Sequence, residues 1–161
     1  MFIDDEVPLE VSFEDARKRL ARLALSGTLT SASEDAYGAG ATELVRVGPL
    51  GSGPAISKLV EVRFQNLLEH GDYAGLAVRW EAIGHGGSLF PALDANITVV
   101  PAGEQTATLR LAGSYRPPLG ALGTVLDRAI LHRVATATIR AFLDRVAAAI
   151  DSPPVSESAT R

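Results

Sequence analysis

Two side chains able to do chemistry, Arg128 and His132, lie four residues apart in the segment predicted to form the last helix. At 3.6 residues per turn, this spacing places both on the stripe that also carries Leu131, Ala135 and Ile139. A charged group on a core-facing stripe is unusual unless it is paired, extends to solvent or faces a cavity. Two interpretations stay open. Either Arg128 reaches water and His132 is a satisfied, half-buried histidine, or both form the polar end of an apolar pocket.

Other catalytic and metal-binding patterns are missing from the sequence. The chain has no cysteine, which excludes disulfides, thiol catalysis and thiolate metal sites. Apart from two carboxylates that flank His70 in a predicted turn, no histidine has metal ligands at a suitable spacing. The glycine-rich run 48–53 lacks the ending of a phosphate-binding loop and is predicted to be a turn. We therefore expect neither a metal site nor a cofactor.

Composition predicts a globular domain and argues against nucleic acid as a partner. Of the 161 residues, 47% are hydrophobic and 21% are charged, which is close to the average of folded domains. The formal net charge of −4 is atypical of nucleic-acid binders, because these usually carry a basic face. Oligomeric state is left open between monomer and homodimer.

The ends of the chain and its hydropathy bear on location. No stretch approaches the roughly 18 uninterrupted apolar residues of a membrane span, so stable membrane insertion is not expected. The acidic start MFIDDEVP does not resemble a secretory signal, which predicts a cytoplasmic location. The last residues, 151–161, combine adjacent prolines with small polar residues and are predicted to be a disordered tail. One domain over 1–150 is expected.

The first elements are predicted to be a short strand and a helix. The strand covers 7–12, and Ser12 with Asp15 forms a capping-box-like pattern that begins the helix. Gly27 should end that helix. Residues 31–40 form either a second short helix or a loop, and alternation then predicts a strand over 42–47.

Four further strands alternate between an apolar and a polar face. They are predicted over 58–67, 74–83, 95–99 and 106–111, and they form an antiparallel meander with one wet side. The apolar side must be buried, and the candidate cover is a long helix over 119–150. The cavity wall between sheet and helix is predicted to comprise Val60, Val62, Phe64, Val78, Trp80, Ile97, Val99, Leu109, Leu111, Arg128, His132 and Ala135.

The passage from the last strand into the long helix resembles a known group. Residues 109–140, LRLAGSYRPPLGALGTVLDRAILHRVATATIR, are similar to the same passage in bacterial polyketide-cyclase-like members of the SRPBCC superfamily, which includes START and birch-pollen-allergen proteins. The runs WEAI at 80–83 and LFP at 89–91 also fit, and the resemblance covers most of the chain from Ser57 onward. It implies an α+β helix-grip fold. In this fold a curved antiparallel sheet of six to seven strands wraps a long C-terminal helix, with one or two short helices after the first strand.

The resemblance implies a function class but no catalytic motif. Family members typically enclose a hydrophobic cavity and bind lipids, sterols or polyketides, so the leading hypothesis is a carrier or sensor of a small hydrophobic molecule. The alternative is a cyclase or dehydratase in which His132 acts as acid and base while Arg128 positions the substrate. A third hypothesis is a co-chaperone-like interaction module, which requires a filled interior and an exposed apolar patch. Because fold does not imply function, the non-catalytic hypothesis is preferred.

Overall fold

The computed structural model describes residues 1–47, 60–82, 92–116 and 128–152. Within these residues the chain forms three helices and five strands. In chain order they are β1 (Phe2–Leu9), α1 (Phe13–Ser26), α2 (Thr28–Val47), β2 (Val60–His70), β3 (Tyr73–Ala82), β4 (Ala92–Pro101), β5 (Ala107–Arg116) and α3 (Arg128–Asp151). The predicted turn at 48–53 and the first part of the predicted long helix, 119–127, lie outside the described residues, as does the predicted tail beyond Ser152.

The five strands form one antiparallel sheet in the order β1-β5-β4-β3-β2. The predicted meander of four consecutive strands is confirmed, and the N-terminal strand pairs with the last strand of that meander. This pairing is continued at the chain start, where the amide of Tyr115 donates to the Met1 carbonyl over 2.8 Å. The first and the last of the described strands are thereby held side by side.

The strand count and one element assignment differ from the sequence prediction. The described residues form five strands rather than six or seven, and residues 42–47, predicted to be a strand, complete helix α2. The open question over 31–40 is settled by the same helix. Six alternating residues carry a weak signal, whereas extending an existing helix adds one hydrogen bond for each residue fixed. Propagation from the preceding turns therefore overrides the local alternation.

Helix α1 begins and ends where the sequence predicts. The Ser12 hydroxyl accepts a hydrogen bond from the Asp15 amide over 3.3 Å, which satisfies one of the free amides of the first turn. Gly27 follows the last turn with a φ of 78°, a left-handed conformation that glycine adopts without a steric penalty. The first strand, in contrast, starts five residues earlier than expected, at Phe2, because pairing with β5 extends it through an acidic run.

The free edge of β1 offers few unpaired backbone groups to another strand. Because Met1 and Tyr115 face each other as a hydrogen-bonded pair, the alternation turns the amide and carbonyl groups of Glu6 and Pro8 away from β5. The Asp5 carboxylate accepts from the Glu6 amide, and Arg140 of α3 donates to the Glu6 carbonyl over 3.3 Å. Pro8 has no amide hydrogen to offer. These features discourage pairing with a further strand.

The core lies between the inner face of the sheet and the helices. Its inner residues on β3, β4 and β5 are buried at alternate positions, as the period of two predicts. Helix α3 contributes a stripe that includes Ala135, Ile139, Phe142, Val146 and Ile150, all buried. Within the segments that the structure describes, no helix combines the length and the apolar character needed to cross a membrane.

Candidate ligand-binding site

Three large side chains line up across the inner face of the sheet. Trp80 on β3 lies opposite Leu93 on β4, which lies opposite Tyr115 on β5, and opposite residues of antiparallel strands project to the same face. All three are at most 1% exposed. Phe142 of α3 meets Trp80 edge to face, with ring centroids 5.3 Å apart and ring planes at 75°. We refer to Trp80, Leu93, Tyr115 and Phe142 as the aromatic end.

The neighbouring row of the inner face carries two small residues, on β4 and β5. Ala95 lies opposite Gly113, and a Cβ placed on Gly113 would collide with the Cα and Cβ atoms of Ala95 and with the Asp94 carbonyl. Glycine is therefore required for β4 and β5 to approach each other in this way. Ala95 and Gly113 therefore add little side-chain volume beside the aromatic end.

The aromatic end contains a polar atom that lacks a partner. The indole nitrogen Nε1 of Trp80 is buried and makes no hydrogen bond, although the residue is 0% exposed. An unsatisfied buried donor costs about 1–3 kcal/mol, so it calls for an explanation. By comparison, the buried hydroxyls of Ser33 and Thr138 donate to carbonyls four residues earlier in their own helices, over 2.8 and 2.7 Å.

The C-terminus of α3 is tied to α1 and to the turn after β1 by hydrogen bonds. Arg19 of α1 donates to the carbonyls of Ile150 over 2.6 Å and Ser152 over 3.1 Å, which are otherwise free at a helix C-terminus. The Glu10 amide donates to the Asp151 carboxylate over 3.0 Å. We refer to Glu10, Arg19, Ile150 and Asp151 as the anchored end. The C-terminus of α3 is thus fixed to α1 and to the turn between β1 and α1.

Seven of the residues predicted to line a cavity are buried between sheet and helix. They are Val78, Trp80, Ile97, Val99, Leu109, Leu111 and Ala135. Val60, Val62 and Phe64 lie in β2, where Val62 is opposite Trp80 and Phe64 is opposite Val78, but their side chains are outside the described part. Arg128 is the first residue of α3, and its side chain is likewise outside it.

The inward position expected for His132 is wrong. His132 is exposed, whereas Ala135 and Ile139 on the same stripe are buried. Its angle around the helix agrees with the stripe, but burial along α3 begins only at Val134. The first turns of the helix are less covered than the rest, and a helical projection carries no information on where along the axis the cover begins.

The sequence does not indicate that the Trp80 indole nitrogen lacks a hydrogen-bond acceptor. The alternation along its strand predicts that Trp80 lies in the cavity wall, but it gives no indication of whether the indole N–H has an acceptor. A buried tryptophan usually finds an acceptor for its N–H group. Whether it does so depends on neighbours from other elements, which periodicity cannot supply.

The arrangement defines an α+β protein whose architecture agrees with the helix-grip fold. The N-terminal strand lies beside the last strand, and a long C-terminal helix covers the inner face of an antiparallel sheet. Among the described residues, no cluster of three or more His, Asp or Glu side chains is placed to hold a metal ion.

Two solved structures share this architecture over most of the chain. A conserved protein from Geobacillus kaustophilus is similar over 93% of this chain and 95% of its own, with 15% identity and a TM-score of 0.56. A hypothetical protein from Helicobacter pylori matches 92% of this chain and 86% of its own, with 15% identity and a TM-score of 0.51. An aromatase/cyclase from Streptomyces sp. R1128 is more distant, with 11% identity, coverage of 94% and 93%, and a TM-score of 0.42. No family model and no curated protein matches the sequence.

Proposed function

We propose that the protein binds one small, mainly apolar molecule between the inner face of the sheet and helix α3, at the aromatic end, as a carrier or sensor. The observation that carries this proposal is the buried Trp80 N–H group without an acceptor, in mainly apolar surroundings. Binding pockets for small molecules typically combine an apolar wall with a few polar groups, and one free donor fits that description.

The contrast between the anchored end and the aromatic end supports this location. At the anchored end Arg19 donates to the Ile150 and Ser152 carbonyls, so these two groups need no ligand. At the aromatic end small residues adjoin large ones, and a donor is left over. A bound molecule would both fill the proposed pocket and accept the hydrogen bond from the Trp80 N–H group.

Binding is better supported than catalysis. The buried serine and threonine hydroxyls of the described part are those of Ser33 and Thr138, and both are used within their own helices. The cyclase or dehydratase alternative requires His132 as acid and base, and this residue is exposed. We expect His132→Ala to leave the affinity for any bound ligand unchanged.

The interaction-module hypothesis has less support than ligand binding. It requires a large exposed apolar patch. In the described part, the exposed large apolar side chains are distributed over three elements: Met1 and Phe2 at the start of β1, Leu25 at the end of α1, and Tyr73 at the start of β3. Phe2 and Tyr73 lie at opposite ends of the sheet, since Phe2 is opposite Ser114 while Tyr73 adjoins Ala74, which is opposite Val99.

The test uses a substitution on helix α3 that would fill the proposed pocket with a larger side chain. Ala135 is 0% exposed and lies on the buried stripe of α3 two turns before Phe142, whereas its neighbour Thr136 is exposed. Ala135→Phe and Thr136→Phe are compared with the unchanged protein by native mass spectrometry against a panel of neutral apolar molecules. Thermal unfolding is measured in parallel.

If the space exists, the unchanged protein and Thr136→Phe bind a panel member, while Ala135→Phe folds with less than about 1 kcal/mol loss and binds none. If the interior is filled, Ala135→Phe overpacks it and loses about 1–3 kcal/mol, and no variant binds. That second result would overturn the proposal and favour the interaction module.

A further inference from the structure

We infer that the molecule bound at the aromatic end is uncharged and carries one hydrogen-bond acceptor, such as a ketone or ester carbonyl oxygen, that receives the Trp80 indole N–H. This inference rests on the proposed function and adds the chemical class of the ligand. Three properties of the site lead to it: the free donor, the absence of buried charge among the described side chains, and the surrounding apolar core.

The first property is the direction of the missing hydrogen bond. An indole nitrogen donates and cannot accept, so the group it needs is an acceptor. Hydrocarbon ligands would leave this buried donor unsatisfied, at a cost that a carbonyl oxygen removes. The site therefore distinguishes a ketone or ester from a hydrocarbon of the same shape.

The second property is charge. No Lys, Arg, His, Asp or Glu is among the buried side chains of the described residues, and the buried hydroxyls of Ser33 and Thr138 are already engaged. A carboxylate or phosphate placed beside Trp80 would lose its hydration without gaining a counter-charge there. Burying such an unpaired ion is far more costly than burying a neutral carbonyl. The site is thus selective against anions.

The third property is the surroundings of the donor. Leu93 on β4 lies opposite Trp80, and Phe142 on α3 contacts its ring, so apolar side chains adjoin Trp80 on two sides. An aromatic or alicyclic body suits this setting, because flat rings pack against aromatic side chains with little loss of internal freedom.

The T-shaped packing of Trp80 and Phe142 offers a competing explanation. If the indole N–H pointed at the face of the Phe142 ring, that ring would serve as a weak acceptor and no ligand would be needed. The experiment must separate these two cases.

The chain contains a single tryptophan, so one indole N–H signal in a ¹⁵N–¹H NMR spectrum reports directly on this atom. Three probes share a naphthalene body: 2-acetylnaphthalene, 2-ethylnaphthalene and 2-naphthoate. We expect the ketone to bind about five to ten times more tightly than the hydrocarbon, the range that one net hydrogen bond provides. We also expect the ketone to move the indole proton downfield, and 2-naphthoate at pH 7 to bind at least tenfold more weakly than the ketone.

Trp80→Phe removes the donor while keeping an aromatic ring. The ketone and the hydrocarbon should then bind Trp80→Phe with equal affinity. Should that variant fail to fold, biosynthetic replacement of the single tryptophan by 3-benzothienylalanine exchanges the N–H for sulfur in a ring of nearly the same shape.

Each outcome decides a separate point. If the ketone and the hydrocarbon bind equally, with no downfield shift, the inference is overturned while the proposed function stands, and the N–H group faces Phe142. If 2-naphthoate binds more tightly than the ketone, the neutral class is wrong. If no probe binds and the Ala135→Phe comparison also shows a filled interior, both the inference and the proposed function fail.

Discussion

The aromatic end and the anchored end differ in how their polar groups are satisfied. At the anchored end the last carbonyls of the helix receive hydrogen bonds from Arg19, and the Asp151 carboxylate receives one from the Glu10 amide. At the aromatic end the Trp80 N–H group is buried without a partner. Fully satisfied groups stabilise a fold, whereas an unsatisfied one lowers its stability unless a ligand completes it. The difference separates the part of the molecule that holds the fold from the part that we propose as the site.

The largest expected effect compares two buried leucines on neighbouring strands. Leu109, opposite Val99 on β4 and Val7 on β1, lies in a closed part of the core, whereas Leu93 belongs to the aromatic end. We expect Leu109→Ala to lower the free energy of unfolding by about 3–4 kcal/mol, and Leu93→Ala by about 2–3 kcal/mol because the proposed binding space adjoins it. Chemical denaturation measures both.

Saturating ligand should recover stability more fully in the unchanged protein than in Leu93→Ala, since ligand bound only to the folded state adds stability according to its affinity. Equal losses in the two alanine variants, with no response to ligand in either, would show that the two ends are packed alike.

The second effect concerns the close approach of β4 and β5 beside the aromatic end. We expect Gly113→Ala to cost about 1–3 kcal/mol, because the new Cβ would collide with Ala95 and neither backbone can move freely. Gly38 in helix α2 is the matched control, since nothing lies within 4 Å of a Cβ placed there. Gly38→Ala should stabilise the protein by about 0.5–1 kcal/mol. Thermal unfolding of the two variants gives opposite signs if the strands are positioned as described.

The third effect tests the anchored end. Arg19→Met removes the donor to the Ile150 and Ser152 carbonyls and should reduce stability by about 1–2 kcal/mol. Lys18 is the adjacent exposed cation, and Lys18→Met should stay within about 0.5 kcal/mol of the unchanged protein. In hydrogen exchange, the amides of the last turn of α3 should lose protection in Arg19→Met alone. A loss of protection throughout α3 would mean that the anchor holds the whole helix.

The smallest effect is expected on the outer face of the sheet, away from the aromatic end and the anchored end. Arg110 of β5 forms an ion pair with Asp4 of β1, and the hydrogen bond from the guanidinium lowers the pKa of the Asp4 carboxyl from its ordinary value. A lowered pKa in the folded state adds stability above the ordinary value of 3.8, and this contribution disappears as pH falls through the lowered pKa.

The Asp4 carboxyl signal in an NMR titration measures this directly. Its midpoint should lie below 3.8 in the unchanged protein and return toward that value in Arg110→Met. Because both groups are accessible to water, the accompanying change in stability should be close to zero at neutral pH and high salt. An unchanged midpoint in Arg110→Met would show that the pair does not persist in solution.

Features that depend on a few adjacent residues were predictable from the sequence. Ser12 and Gly27 mark the ends of α1 because capping and a left-handed φ are local requirements. The inner faces of β3, β4 and β5 followed from the alternation of side chains, and the buried stripe of α3 followed from the helical repeat. These regularities also account for the burial of seven predicted wall residues.

Features that depend on contacts between distant segments were not predictable. Residues 42–47 alternate like a strand, yet they extend α2 because its preceding turns had already met the cost of starting a helix. His132 has the angle of the buried stripe, but the cover over α3 begins at Val134. The amino-acid sequence by itself determined which faces are apolar and where α1 begins and ends. Only the tertiary structure decided that Trp80 has no acceptor while the carbonyls of Ile150 and Ser152 have a donor, because hydrogen-bond partners come from elements far apart in the chain.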